Sequence, residues 1–204
     1  MLKNAPALFD RLYRYDWYSQ PMHDCVKALE IPQQAKVLDL GCGPGNLTRH
    51  LAQSGLRVTG MDKSAAMIAR AKRQPSSARF MAGDALNIDA QDGRFDVVIS
   101  ASLINVVPDS AALLVEIARV LKPDGSATVL FPTPQFDPEH AERIIRAQGL
   151  GVFAAGAIRL WASKARKLDV DVVCQQFVSA GFGTPNVARY LDGGLAGVSA
   201  IRTG

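Results

Sequence analysis

The 204-residue chain is predicted to fold as an α/β protein: a doubly wound, seven-stranded, mostly parallel sheet with an antiparallel last strand and helices on both faces. Three observations predict it. Short apolar runs alternate with helix-period segments from residue 35 to 131. The first run ends in "GCGPG", three glycines in five positions at a strand-to-helix junction. The last two apolar runs are joined only by "DGGLAG" (192–197), too short for a parallel crossover, so they are expected to pair antiparallel.

The elements follow in order. "AKVLDLG" (35–41) reads as a buried strand, and "NLTRHLAQSG" as a helix stopped by Gly55. "LRVTGMD" (56–62) is the second strand, and Ser64 is placed to cap "AAMIARAKR". "ARFMAGDA" (78–85) holds the third strand and "FDVVISA" (95–101) the fourth. Asp109 or Ser110 caps "AALLVEIARVL", and "PDG" (123–125) is expected to turn the chain into a fifth strand, "SATVLFP". Residues 132–168 interrupt the alternation. "DVVCQQFVSAGFG" then reads as a helix, with "NVARYL" and "AGVSAIR" as the last strands. One domain is expected, with an amino-terminal helical segment (1–34), a ligand-binding core (35–131), an insertion (132–168) and a closing unit (169–204).

Composition narrows the class. Hydrophobic residues make up 48% and charged residues 21%, the balance of a soluble globular protein. A net charge of +4 is too small to imply nucleic acid, and the cations are not interleaved with aromatics as a single-strand platform requires. Cys25, Cys42 and Cys174 are odd in number and far apart, so neither a metal site nor a disulfide framework is expected. No apolar run approaches the ~20 residues that span a bilayer, and the first residues lack the apolar core of a leader. A cytoplasmic location is expected.

The glycine spacing separates two ligand classes. A dinucleotide fingerprint needs G-x-G-x-x-G with its pyrophosphate on the helix terminus. Here Gly41, Gly43 and Gly45 are followed by Asn46 where a third dinucleotide glycine would stand, and Asp39 would sit near an anionic pyrophosphate. D-x-G-x-G-x-G suits a ligand that brings an ammonium group instead.

"VLDLGCGPG" resembles the first motif of class I S-adenosylmethionine-dependent methyltransferases of the small-molecule type. Three further blocks match in order: "VTGMDKSAAMIARA" (58–71), "ARFMAGDALNI" (78–88) and "FDVVISASLINVVPD…ARVLKPDGSATVLF" (95–131). The resemblance implies S-adenosylmethionine as cofactor, with no metal. It implies that Gly41, Gly43 and Gly45, with Cys42 in the same loop, wall the methionine part, and that Asp39 orients its amino group through the loop. Asp62 would accept both ribose hydroxyls. Lys63 and Met67 would flank the adenine, Asp84 would accept its amino group and the Ala85 amide would face a ring nitrogen. Ser100 would approach the methionine through its main chain. Tyr15, Asp16 and Tyr18 are similar to a Tyr-Asp pair that folds over the cofactor, with the Tyr18 hydroxyl at the cofactor carboxylate. Simple packing by Phe9, Leu12, Trp17 and Tyr18 is the alternative.

The acceptor is less legible. The fourth strand ends "SASLIN" rather than in the Asn-Pro-Pro-Tyr type of motif, which removes methylation of base or glutamine amino groups. His140 and His23 are the candidate catalytic bases, and His50 is expected at the surface. The insertion is expected to select the acceptor. In it, Glu139–Arg143 and Glu142–Arg146 support one helix. A second helix over 152–168 is expected to place Phe153, Ala157, Leu160, Trp161 and Leu168 on one side, as a lid or as a weak membrane-surface contact. Three functions stand open: methyl transfer to a small, possibly hydrophobic organic acceptor (a quinone, lipid or secondary metabolite), a non-catalytic cofactor-binding module acting as a regulatory or assembly partner, and a nicotinamide oxidoreductase.

Overall fold

A computed structural model describes residues 5–204; residues 1–4 of the amino-terminal segment lie outside it. Seven strands form one sheet: β1 (Lys36–Leu40), β2 (Arg57–Asp62), β3 (Arg79–Ala82), β4 (Phe95–Ala101), β5 (Leu121–Pro132), β6 (Asn186–Tyr190) and β7 (Leu195–Ile201). Their order is β3-β2-β1-β4-β5-β7-β6. All neighbouring pairs from β3 to β5 are parallel. β7 runs antiparallel to both β5 and β6, because it is the return arm of the short hairpin that begins with β6.

Helices α1 (Ala5–Leu12) and α2 (Asp16–Lys27) precede β1. α3 (Asn46–Gln53), α4 (Ala65–Ala71), α5 (Ser110–Val120) and α8 (Val170–Ser179) connect strands, while α6 (Pro138–Gln148) and α7 (Val152–Lys164) form the insertion after β5. The caps are those the sequence advertises. Ser64 Oγ accepts the Met67 amide at 3.4 Å, and Asp109 Oδ1 the Ala112 amide at 2.9 Å. Asp169, unread in the sequence, accepts from Asp171 and Val172 to start α8.

Strand order reverses between β1 and β4, so chain connections leave the two strands toward opposite sides. That opens a crevice beyond their carboxyl ends. Two cores hold the sheet. Leu38, Leu40, Val98 and Val129 pack with Leu113, Ile117 and Phe177 of α5 and α8. On the other face Val37, Val97 and Ile99 pack with Met22, Cys25, Leu47 and Leu51 of α2 and α3. A third cluster joins α2 to the insertion through Trp17, Phe136, Ile144 and Ile158.

Three expectations need correction. The "PDG" turn lies inside β5 as a bulge: the register jumps from Phe95↔Leu121 to Val97↔Ser126, and Asp124 takes φ 62° to make it. Glu142 reaches Arg159 on α7 (Nε at 2.5 Å, Nη2 at 3.0 Å) rather than Arg146, because α6 and α7 lie side by side. α7 ends at Lys164 and buries Ala154, Ala155, Ile158 and Ala162, leaving Leu160 exposed. Phe153, Ala157 and Trp161 pack beside this stripe, so the expected face is met except at its exposed edge.

Candidate functional site

The glycine turn between β1 and α3 uses its three bare positions differently. A Cβ on Gly45 would stand 2.5 Å from the Phe80 ring and 3.0 Å from Ala71, so this residue lets α3 close onto β3 and α4. A Cβ on Gly41 would meet Leu103 at 3.1 Å. Only at Gly43 does the missing side chain leave open space. Packing by itself therefore requires glycine at Gly41 and Gly45, whereas at Gly43 no protein atom does. Cys42 is buried between them, its thiol pushed up by burial and aimed at the Gly43 carbonyl at 3.6 Å. It is a packing thiol.

Carboxylates surround this turn. Asp39 is 2% exposed within β1 and accepts the Thr48 hydroxyl at 2.6 Å rather than loop amides. Burial lifts its pKa to about 6, and Asp62 adds to the rise. Asp62, the last residue of β2, accepts the Gly43 amide through Oδ2 at 2.9 Å and the Ser64 amide through Oδ1 at 2.8 Å. It thereby ties the glycine turn to the start of α4, with lone pairs to spare on both oxygens. Asp84, just past β3, accepts Lys63 Nζ at 2.7 Å and the Leu86 amide at 3.0 Å. The Lys63 ammonium, ahead of that amide, holds its carboxyl below the ordinary range. Met67 and Ala85 are both buried at the edges of this crevice, each 9% exposed.

The amino-terminal helices cover the turn. Asp10 on α1 accepts from Asn46 Nδ2 (3.0 Å), the residue directly after Gly45, and from Arg70 Nε on α4 (2.6 Å). One helical turn on, the Tyr13 hydroxyl meets His23 Nε2 at 2.6 Å, and the His23 ring stacks on His50 with centroids 4.2 Å apart. Burial, then His50, pushes the His23 pKa down. His23 thus braces α2 on α3, while His50 is exposed as expected. Neither Asp10 nor Tyr13 carried a readable signal, since their partners are distant in sequence. Thr48 did: a hydroxyl three residues into the helix after the glycine turn faces back toward β1.

His140 is corrected outright. It is 2% exposed, and Arg143 Nη2 lies 3.0 Å from Nδ1. A guanidinium only donates, so Nδ1 accepts and Nε2 carries the proton to the Leu191 carbonyl at 2.8 Å. Both nitrogens are spent on joining α6 to the β6–β7 hairpin. It has no lone pair for a substrate.

At the carboxyl end of β4, Ser100 is fully buried and its Oγ has no partner. Ser102 follows at φ 59°, a left-handed conformation unusual for serine. Tyr18 is half-buried against Trp17 and Trp161. A cavity of about 510 Å³ lies elsewhere, on the α5 side of the sheet between Arg79, Ile88, Arg94 and Phe95. Among the described residues no group of three or more His, Cys, Asp or Glu side chains is placed to hold a metal ion, and no helix is long and apolar enough to cross a membrane.

The chain is an open α/β sheet in which Asp39 within β1, Asp62 at the end of β2 and Asp84 just past β3 lie along the side of the β1–α3 turn. Known proteins specify it further. A family model described as a methyltransferase domain matches residues 37–125. Trans-aconitate 2-methyltransferase of Variovorax paradoxus is 34% identical over 72% of this chain and 56% of its own length. A demethylmenaquinone methyltransferase of Paenarthrobacter aurescens is 32% identical over 85% of this chain and 72% of its own length. The fold is shared with a TehB-like SAM-dependent methyltransferase from Corynebacterium glutamicum (TM-score 0.67, 19% identity, 98% of each chain). The chain belongs to the class I S-adenosylmethionine-dependent methyltransferases. It spans 52–66% of the length of the trans-aconitate relatives it matches.

Proposed function

We propose that this chain transfers a methyl group from S-adenosylmethionine to a small organic acceptor. The observation that carries the reading is the succession of Asp39 in β1, Asp62 at the end of β2 and Asp84 just past β3, beside a glycine turn whose Gly43 has open space at its Cβ position. Asp62 would accept the ribose hydroxyls with the lone pairs left after its two amide bonds. Asp84 would accept the adenine amino group, the Ala85 amide would face the ring, and Met67 and the stem of Lys63 would flank it. Asp39 would place negative charge beneath the methionine amino group, against which the Ser100 main chain and Tyr18 would lie.

When bound, the cofactor supplies a methyl group already activated by its sulfonium. This chain's task is then to align and to exclude water, and alignment alone can supply roughly 7–11 kcal/mol of the barrier. α1 and α2, anchored through Asp10 and His23, would cover one side of the crevice, and the α6–α7 insertion the other. With His140 locked, the acceptor would lose its proton to solvent or arrive as an intrinsically good nucleophile. Incubation with methyl-labelled cofactor and a low-mass cell extract tests the reading. Label in a small compound is expected. Cofactor binding without any labelled product would instead favour a non-catalytic module.

A further inference from the structure

One face of β2 and β3 has no helix over it. Parallel strands are ordinarily covered on both sides, yet the chain passes from β3 to β4 through residues 83–94 without forming a helix. α3 and α4 cover the side that carries Asp39 and Phe80. Side chains alternate along a strand, so Leu38, Thr59 and Arg79, paired across β1, β2 and β3, stand on the opposite side. There the cavity of about 510 Å³ lies, a volume within the usual range of small-molecule sites.

Its wall is held from α5. Glu116 Oε1 accepts the Ile88 amide at 2.6 Å, and Arg119 donates to the Ile88 carbonyl (2.8 Å), the Ala90 carbonyl (2.9 Å) and the Asp92 carboxylate (2.6 Å). A wall fixed in advance costs a ligand little ordering entropy. Leu38, Met81, Ile88 and Phe95 give the cavity an apolar lining.

The charged residues of that lining are Arg79, Asp89 and Arg94. None of them joins an ion pair among the described residues, and all three are exposed. The two arginines stand at opposite corners. β2 and β1 separate β3 from β4, so Arg79 and Arg94 are roughly 14 Å apart across the strands. The register sets Arg79 level with Val98, which is about 13 Å beyond Arg94 along them.

We infer that this cavity is a binding site, separate from the cofactor crevice, for a small elongated dicarboxylate with an apolar middle. Each guanidinium meets one carboxylate at its own corner, where the planar fork and the carboxylate match in geometry. The hydrocarbon between them lies along Leu38, Met81 and Phe95. Asp89, the one acid of the lining, opposes any anion there and tempers the affinity. The inference goes beyond the methyltransferase reading and does not depend on it.

Met81, one of five methionines, reports the cavity. Full-length protein labelled at the methionine methyl carbons is titrated with suberate, octanoate, 1,8-octanediol, 1,8-diaminooctane and inorganic phosphate. The Met81 resonance is assigned with Met81→Leu and followed by NMR. Saturable movement of that resonance by suberate is expected, with octanoate at least threefold weaker and the diol, the diamine and phosphate silent. Arg79→Gln and Arg94→Gln are each expected to bring suberate down to the affinity of octanoate, and Asp89→Asn to tighten it about twofold. Arg189→Gln, exposed on β6, should change nothing. Either arginine variant serves if the other fails to fold. S-adenosylhomocysteine affinity should stay within twofold in every variant, and suberate should titrate alike with and without it. A silent Met81, suberate no tighter than octanoate, phosphate or diol binding as tightly, or full suberate affinity in a folded arginine variant overturns the inference. So does displacement of suberate by S-adenosylhomocysteine. Failure of S-adenosylhomocysteine itself to bind would strike the methyltransferase reading alone, since the suberate titration is also read without it.

Discussion

Asp62 holds the glycine turn from the neighbouring strand: its Oδ2 accepts the Gly43 amide at 2.9 Å, while Oδ1 takes the Ser64 amide at the head of α4. The residue that fits a ribose therefore also shapes the backbone on which the methionine part would rest. Asp62→Ala is expected to leave two amides without their acceptor, at about 1–3 kcal/mol. Faster hydrogen exchange at Gly43 and a lowered melting temperature check this, and unchanged exchange would mean the turn holds itself.

Gly43 and Gly45 are expected to fail in different ways. Gly45→Ala sets a methyl group 2.5 Å from Phe80 at φ 80° and should cost more than about 2 kcal/mol of stability, read by denaturant unfolding. Gly43→Ala meets no protein atom, so its stability cost is confined to the left-handed backbone, about 1 kcal/mol. Its S-adenosylhomocysteine affinity should nevertheless drop at least tenfold.

Asp39 is expected to trade stability for function. Its pKa of about 6 in the fold lies above the ordinary 3.8, so between pH 4 and 6 the native state binds more protons than the unfolded chain. Stability from this group is present below pH 4 and is lost as pH rises toward 6. Above pH 6 the full cost applies, about 3 kcal/mol as the free-energy equivalent of that difference. Asp39→Asn keeps an acceptor for Thr48 and removes the charge. Denaturant midpoints at pH 4.5 and 7.5 should show the variant more stable than the parent at the higher pH, with weakened cofactor binding.

His140 is expected to matter for stability and not for the pH profile. His140→Phe removes the bond to Leu191 and leaves Arg143 Nη2 without its imidazole acceptor, with only the long, exposed contact to Glu139 remaining, costing about 2 kcal/mol. Cofactor affinity per folded molecule should stay within threefold, by calorimetry on protein quantified for its folded fraction.

Much of this architecture could be read in advance because its signals are local. Alternating apolar runs placed the strands, Ser64 and Asp109 announced their caps, and the short "DGGLAG" link required an antiparallel pair. What escaped depends on partners far along the chain. Arg143 and Leu191 turn His140 from a candidate base into a strut, and Phe80 adds a packing reason for Gly45 that no local pattern announces. On α7 the helical wheel places Phe153, Ala157 and Trp161 inward correctly but not Leu160, because the buried stripe runs through Ala154, Ala155, Ile158 and Ala162. The Tyr13–His23–His50 stack joins three elements and leaves no pattern in any one of them.

The claim that the acids on β1 to β3 form a nucleoside site is tested most directly by calorimetric titration of the full chain with S-adenosylhomocysteine, beside Asp84→Ala. One site per chain is expected, with affinity in the variant reduced at least tenfold and its melting temperature within a few degrees of the parent's, since the Lys63 pair it breaks is exposed. Absence of heat with folded parent protein, or equal affinity in the variant, would contradict the account.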